Sequence, residues 1–437
     1  MSVRLCAVLA FALFARPESA SAVPFPQALL DSARVAREAW RDGSLAARRG
    51  ELALARAHLR RAMEAWPAQP VYALGYATIA ARILDTSGVV TGLSLLADLG
   101  GGNDLSASVD LAPLRDAPAV RSAAARLAAN LQPIAGSRVA FEVEERDFWP
   151  EGLAHDPKTG AWYLGSVRHR KILRVLPGGE THELVHPGQD GLWGVFGMQT
   201  DTAANTLWVS SAAIPQMVGF TAADSGRSGI FAFDLSTGRL RGRWLIRARS
   251  GAHLLGDLVL TAAGDVYATD SDAPVIWRVR RGSDRIEEFL RHPLFRSLQG
   301  PALDERERTL FVADYSHGIL AVDLVTRQVR DLPSPPRSTT LGIDGLTWED
   351  GSLLAIQNGI SPARVLRVRL DAARSRISEL EVLDRQPELA DEPTLGLLLD
   401  GTFYYVANSH WEKYDPAGRL REGARLAGPR ILALPLK

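Results

Sequence analysis

Three acids, each beside a glycine and each opening a short apolar run, recur far apart in the chain: Glu151 in Pro150-Glu151-Gly152-Leu153, Asp257 in Gly256-Asp257-Leu258, and Asp344 in Asp344-Gly345-Leu346. Gln299 before Gly300, then Glu392, and either Met198 or Gln199 stand at corresponding places ahead of three further runs. Brought together, these side chains form a cluster rich in oxygen, without thiolate or obvious imidazole. Carboxylates forced together repel and raise one another's pKa unless a cation neutralises them, and hard oxygen donors select Ca²⁺, Mg²⁺ or Mn²⁺. A divalent metal is therefore the economical answer.

Such a meeting needs a scaffold that returns to one point many times. From Arg138 onward, short runs of Val, Leu, Ile, Phe, Tyr and Trp alternate with Gly, Asp, Pro and Ser turns, the pattern of strands. The unit seen first as Gly152 to Ala154, a turn at Asp156 to Gly160, and Ala161 to Gly165 comes back near Thr206, Val266, Thr309, Ser352 and Thr402. The copies are spaced by roughly 43 to 60 residues, the period of propeller blades, and six copies predict six blades. The innermost strand of each blade lines the central channel, so the leading residues of all six converge there. The last strand, from Arg430, is expected to join the sheet begun at Val139 and close the ring, which leaves no long edge bare.

Ahead of the strands, residues 23–134 read as helices. Gly50, Leu52, Ala55, Leu59, Ala62 and Pro67 fall at the Gly, apolar, small, large, small and Pro positions of a tetratricopeptide repeat, and the segment resembles its second helix. A second pair over 71–99 ends at Gly100, Gly101, Gly102 and Asn103, and a last helix covers 117–131. The module is either a groove for a protein or peptide partner or a cap that packs on the propeller. The fold class is thus mainly β: a six-bladed propeller over 138–437 preceded by a small all-α module.

The first 22 residues read as an export signal: Arg4, an apolar stretch from Leu5 to Phe14, and Ala20-Ser21-Ala22 as the cleavage site. The apolar stretch is too short to span a bilayer as a permanent helix, so no membrane anchor is expected and the product is periplasmic or secreted. The single cysteine, Cys6, lies at the start of the apolar stretch and ahead of the cleavage site, so the exported chain would hold no disulfide. Lys plus Arg number 50 and Asp plus Glu 50, which leaves no global field to gather nucleic acid or an anionic membrane.

The motifs around Glu151, Asp257 and Asp344 resemble those of the regucalcin, gluconolactonase and luciferin-regenerating-enzyme-like family, six-bladed propellers that open lactones or related esters with metal-activated water. The resemblance runs from about Val139 to the end of the chain. It implies that Glu151, Gln299 and Asp344 hold a divalent metal, Ca²⁺ above others, and that Gly256 and Asp257 take the place of the family's substrate-facing Asn-Asp pair. Gln299 stands where the family has Asn, and Gly256 lacks a side chain altogether. In an active enzyme the metal would polarise a lactone carbonyl while Asp344 or Asp257 takes a proton from water. The alternative is a non-catalytic propeller that binds a sugar, peptide or protein partner.

His182-Glu183-Leu184-Val185-His186 matches H-E-x-x-H, which on a helix sets two His around Zn²⁺. Here Gly178-Gly179 and Pro187-Gly188 leave no room for a helix. On a strand the two His would stand about 13 Å apart, too far to share one ion. Asp156, Asp201, Asp265, Asp304 and Asp350 read as turn residues that bond their own backbone. Trp162, Trp208, Trp277 and Trp348 read as packing between blades. No nucleophile elbow, phosphate loop or dinucleotide fingerprint is present.

Overall fold

The structure is a computed structural model that describes residues 27–246 and 251–436. The expected leader at 1–22, with Cys6, lies outside the described residues. The chain divides into two compact units, 1–131 and 132–437.

The first unit contains five α-helices among its described residues: Gln27–Arg48, Leu52–Ala65, Pro70–Arg82, Thr86–Asp98 and Pro118–Ala129. Their facing sides are small. Ala36, Ala39 and Ala46 of the first helix and Ala55 and Ala62 of the second are all buried, with Leu59 filling the gap. Gly92 of the fourth helix sits so close to the third that a Cβ there would lie 2.6 Å from Ala73 O. Small residues let helix backbones approach, and Pro67 prevents the second helix from continuing. No helix among the described residues is long and apolar enough to cross a membrane.

The second unit is a six-bladed β-propeller: six antiparallel four-stranded sheets, five with their strands in chain order and the sixth completed by the unit's first strand. The inner strands are Pro150–Asp156, Gly194–Asp201, Leu255–Leu260, Leu298–Leu303, Ile343–Glu349 and Gly396–Leu399, numbered here as blades 1 to 6. Each lies beside the inner strand of the next blade, and the sixth lies beside the first. The apolar core is correspondingly a ring of clusters between blades. One joins Tyr163 of blade 1 to Val209 and Phe231 of blade 2, and another joins Phe311 of blade 4 to Leu346 and Leu353 of blade 5. At about 1.5–3 kcal/mol per fully buried large side chain, these clusters hold blade to blade without any cross-link.

Blade 6 is built from both ends of the unit. Strand Arg138–Glu142 pairs with the last strand, Arg430–Pro435, in the register Val139 to Leu432 and Glu142 to Arg430. A second fastening lies beside it. The buried Asp384 carboxylate accepts from Gly136 N at 2.7 Å, Ser137 N at 2.9 Å and Tyr405 OH at 2.5 Å. One saturated carboxylate thus ties the start of the propeller to its fifth and sixth blades.

One irregularity is repeated around the ring. In blades 1 to 5 the pairing of inner and second strand gains one residue at the same level: between Pro150 and Leu153, Val195 and Met198, Leu255 and Asp257, Leu298 and Pro301, and Ile343 and Leu346. A bulge of this kind re-aims side chains and is common beside functional sites. The pairs at this level are Glu151-Gly152, Phe196-Gly197, Gly256-Asp257, Gln299-Gly300 and Asp344-Gly345. Glycine is needed because the inner strands converge there. A Cβ on Gly152 would overlap Phe196 O, and one on Gly300 would sit 2.6 Å from Leu346 N.

Candidate functional site

The bulges put Glu151, Phe196, Gly256, Gln299 and Asp344 at equivalent positions of consecutive blades. This changes two of the expected leading residues. In blade 2 the equivalent residue is Phe196, and neither Met198 nor Gln199. The Gln199 side chain turns to blade 3, where its Oε1 accepts from Leu260 N at 2.6 Å. In blade 3 the order of acid and glycine is reversed, so Gly256 holds the acid's place and Asp257 holds the glycine's. The Asp257 carboxylate consequently lies against Gly197 of blade 2, in the space that a Cβ on that residue would take. Alternation alone misplaces these residues, because each bulge shifts the register by one.

Four carboxylates act on one another here. Glu151 is 5 % exposed. Loss of water pushes its pKa well above the usual carboxylate range. The negative charge of Asp344 adds to this, the hydrogen bond from Trp411 opposes it, and the charges of Glu392 and Asp257 add further. Burial raises Asp344 to about 6, against the pull of its hydrogen bond from Asn358. Burial raises Asp257 to about 7, opposed by the Leu258 N–H and assisted by the charge of Asp344. Glu392 is raised to about 8, first by burial and then by the charge of Glu412.

Each of these side chains is only half satisfied. Glu151 Oε2 accepts from Trp411 Nε1 at 3.1 Å, and Asp344 Oδ2 accepts from Asn358 Nδ2 at 2.7 Å. Asp257 Oδ1 accepts from Leu258 N at 2.7 Å, and Glu392 Oε1 accepts from Glu412 N at 3.0 Å. Gln299 donates through Nε2 to Ser297 Oγ at 3.2 Å, which leaves its carbonyl oxygen free. The second oxygen of each carboxylate has no hydrogen-bond partner among the described residues, and for Glu392 that oxygen is fully buried. Among the described residues, neither Lys nor Arg pairs with any of the four acids.

A cap of aromatic rings lies against Glu151. Trp149, fully buried and in the left-handed region at φ 51°, meets Trp411 edge-on at 5.1 Å and stacks on Tyr414 at 4.9 Å. Phe196 lies 6.2 Å from Trp411. A left-handed tryptophan is strained, and strain of this kind collects at functional sites. Trp411 and Tyr414 belong to a long connection, 407–429, inside blade 6. It carries no blade period, so sequence reasoning passed over Trp411. Asn358 could have been found, since it follows the second strand of blade 5 as Asn408 does in blade 6.

The oxygen donors suit a hard cation in kind. Among the described residues no three His, Cys, Asp or Glu side chains come close enough together to hold a metal. A cation between Glu151 and Asp344 would therefore need the free Gln299 carbonyl as its third protein donor, and Gln299 Oε1 already turns toward Gly256. The H-E-x-x-H segment forms no zinc site. It lies on strand Thr181–Val185, where Glu183 pairs with Lys171 at 2.7 Å and with His186 at 2.9 Å. Three of the turn aspartates behave as read: Asp156 accepts from Lys158 N, Asp201 from Ala204 N and Asp304 from Arg308 N, whereas Asp265 accepts from Arg281 N, sixteen residues on. Among the tryptophans, Trp162 packs on Tyr404 and Trp348 stacks on Phe311, each in a neighbouring blade, and Trp208, beside Trp244 of its own blade, packs with Trp277 into the cluster that joins blade 2 to blade 3.

No protein-family model matches the chain, and no curated protein matches it in sequence. Solved structures similar to it include a gluconolactonase from Xanthomonas campestris, 15 % identical, covering 71 % of this chain and 93 % of that one with a TM-score of 0.46. A luciferin-regenerating enzyme is 12 % identical and covers 70 % of this chain and 95 % of its own, with a TM-score of 0.47. The PQQ-bound form of an aldose sugar dehydrogenase from Streptomyces coelicolor is 16 % identical and covers 69 % and 98 %, with a TM-score of 0.46. One propeller architecture hosts many activities, so the likeness shows the fold alone.

Proposed function

We propose that the protein is a divalent-metal-dependent hydrolase that opens lactones or related esters at the propeller axis. The observation that carries this reading is the set of axial oxygens left free on Glu151, Asp257, Gln299 and Asp344, with no cationic side chain bonded to any of them among the described residues. Buried acids in that state need protons or a cation, and the open oxygens supply the ligands for one. Glu151, Gln299 and Asp344 would hold the ion. Ca²⁺ suits this set best, because it accepts irregular shells of carboxylate, amide and water oxygens. Bound there, it supplies charge neutralisation and polarisation of the scissile carbonyl.

The remaining work falls to side chains of the chain itself. Asp257, raised to about 7, is matched to proton transfer near neutral pH. It takes the proton as the water oxygen adds to the carbonyl carbon. When the ring C–O bond breaks, the leaving alkoxide takes a proton back and a hydroxy acid results. Asp344 would serve as the alternative base only where its unbonded oxygen is not held by the ion, since Asn358 holds the other. Trp411 and Phe196 keep bulk water from Glu151. Read as an export signal, the first 22 residues would place this activity in the periplasm or outside the cell.

A lactone panel assayed with purified protein, with and without EDTA and with Ca²⁺ restored, tests the reading. Turnover that needs the ion and is lost in Glu151→Gln and Asp344→Asn supports it, and turnover indifferent to EDTA overturns the mechanism. The second reading, a propeller that only binds a sugar, peptide or protein, is favoured by Gly256 and Phe196, which leave two axial positions without a polar group. Absence of turnover together with retained ligand binding would select it.

A further inference from the structure

A cavity of about 300 Å³ lies in blade 6, between the 387–391 segment and the long 407–429 connection. Its walls are fixed by internal bonds. Asn408 is spent on Gly428 O at 2.8 Å and Arg430 N at 2.8 Å, and Lys413 pairs with Asp391 at 3.0 Å. Arg430 reaches Glu142 through Nε at 2.5 Å and Leu389 O through Nη1 at 3.1 Å. What remains unspent among the described lining side chains is the Arg425 guanidinium, Nη2 of Arg430 and the ring of His410 on one side, and the Glu388 carboxylate and Asp391 Oδ1 on the other. His410 is 2 % exposed, and its buried Nδ1 has no hydrogen-bond partner. A buried polar atom without a partner costs stability unless something else satisfies it.

We propose that this cavity is a binding site for a small organic monocarboxylate, gripped by Arg425 and Arg430 with His410 completing the contact. A planar guanidinium presents paired donors that match the two oxygens of a carboxylate. Glu388 and Asp391 at the rim keep the charge of the site low, which disfavours phosphate and other multiply charged anions. The site is distinct from the axial acids but is joined to them by a short piece of backbone. Between the lining residues His410 and Lys413 lie Trp411, which bonds Glu151, and Glu412, whose N–H bonds Glu392.

Titration calorimetry of the purified protein with acetate and with gluconate, and with phosphate at matched ionic strength, tests the site. The expected result is saturable binding of the carboxylates, weakened at least tenfold in Arg425→Ala and in His410→Phe and unchanged in Glu151→Gln and Asp344→Asn. Arg425 is exposed and forms no bond with a described residue, so Arg425→Ala should fold normally, which a melting curve verifies. Three results would overturn the proposal: no carboxylate binding, phosphate bound more tightly than carboxylate, or binding that survives Arg425→Ala and disappears in Glu151→Gln. Because the axial variants are separate, failure here leaves the hydrolase reading standing, and the reverse also holds.

Discussion

Trp411 reaches back across 260 residues of chain to donate its indole N–H to Glu151 at 3.1 Å, and this is the only hydrogen bond that Glu151's carboxylate makes among the described residues. The bond joins the long connection of blade 6 to the inner strand of blade 1. It also opposes the burial that drives Glu151 toward its neutral form. On the hydrolase reading the axial carboxylate must stay available to an ion, and Trp411 would serve that end.

Trp411→Phe preserves the ring and removes the donor. The variant is expected to lose about 1–2 kcal/mol of stability, the usual cost of leaving a buried acceptor unpaired. Urea unfolding at pH 8 measures it. Glu151's pKa should rise further in the variant, so weaker Ca²⁺ binding should accompany the loss. A fully wild-type unfolding curve would show that the bond is incidental.

Asp257 makes the apo protein sensitive to alkali. Its folded-state value of about 7 lies above the ordinary 3.8, so between those limits the folded chain retains a proton that the unfolded chain has released. Stability therefore falls as pH rises from about 4 to about 7 and stays low beyond. Asp257→Asn removes Asp257's share of this slope, leaving those of Glu151, Asp344 and Glu392, and should be more stable than the parent at pH 8 by on the order of 2 kcal/mol. Thermal or urea unfolding at pH 5 and pH 8 in the presence of EDTA supplies the comparison.

The blades were legible because each repeats one strand, turn and strand unit, and Thr309 to Asp314 or Thr402 to Val406 can be recognised with no structural help. Closure by the last strand was legible as well, since an unpaired edge after Val139 demanded a partner. The level of the axial residues was only partly legible. Glu151, Gln299 and Asp344 stand directly before glycine and announce the bulge, whereas Phe196 hides behind an apolar run and the inverted Gly256-Asp257 pair looks like another acid in register. Trp411 and His410 could not be placed at all, because a connection of that length has neither a period nor a fixed partner until the fold positions it.

Gly152 offers a direct test of the bulge. Its Cβ would run into the carbonyl oxygen of Phe196, backbone that cannot give way without parting two blades. Gly152→Ala should cost about 3 kcal/mol or more, the scale of overpacking at a rigid contact. Gly178→Ala is the control. It has nothing within 4 Å of the added carbon and should stay within about 0.5 kcal/mol of the parent, since an open position mainly feels the unfolded chain's lost freedom. Denaturant midpoints of the two variants decide whether convergence of the inner strands requires glycine there.

Gly256→Asn asks whether the empty axial position limits the site. An added Cβ would meet Ser271 Oγ at 3.0 Å and Gln299 Oε1 at 3.7 Å, both side-chain atoms, and the backbone at Gly256 is not left-handed. The substitution should therefore fold, within about 1 kcal/mol of the parent, as changes that neither overpack nor strand a polar group do. Its amide oxygen would stand at the same level as Glu151, Gln299 and Asp344 and offer a fourth protein donor to a cation. Ca²⁺ affinity by calorimetry should rise about tenfold, equivalent to about 1.4 kcal/mol. On the hydrolase reading, any lactone turnover should rise with it. If Gly256→Asn changes neither quantity, the free axial oxygens do not act as one shell, and the binding-only propeller is favoured.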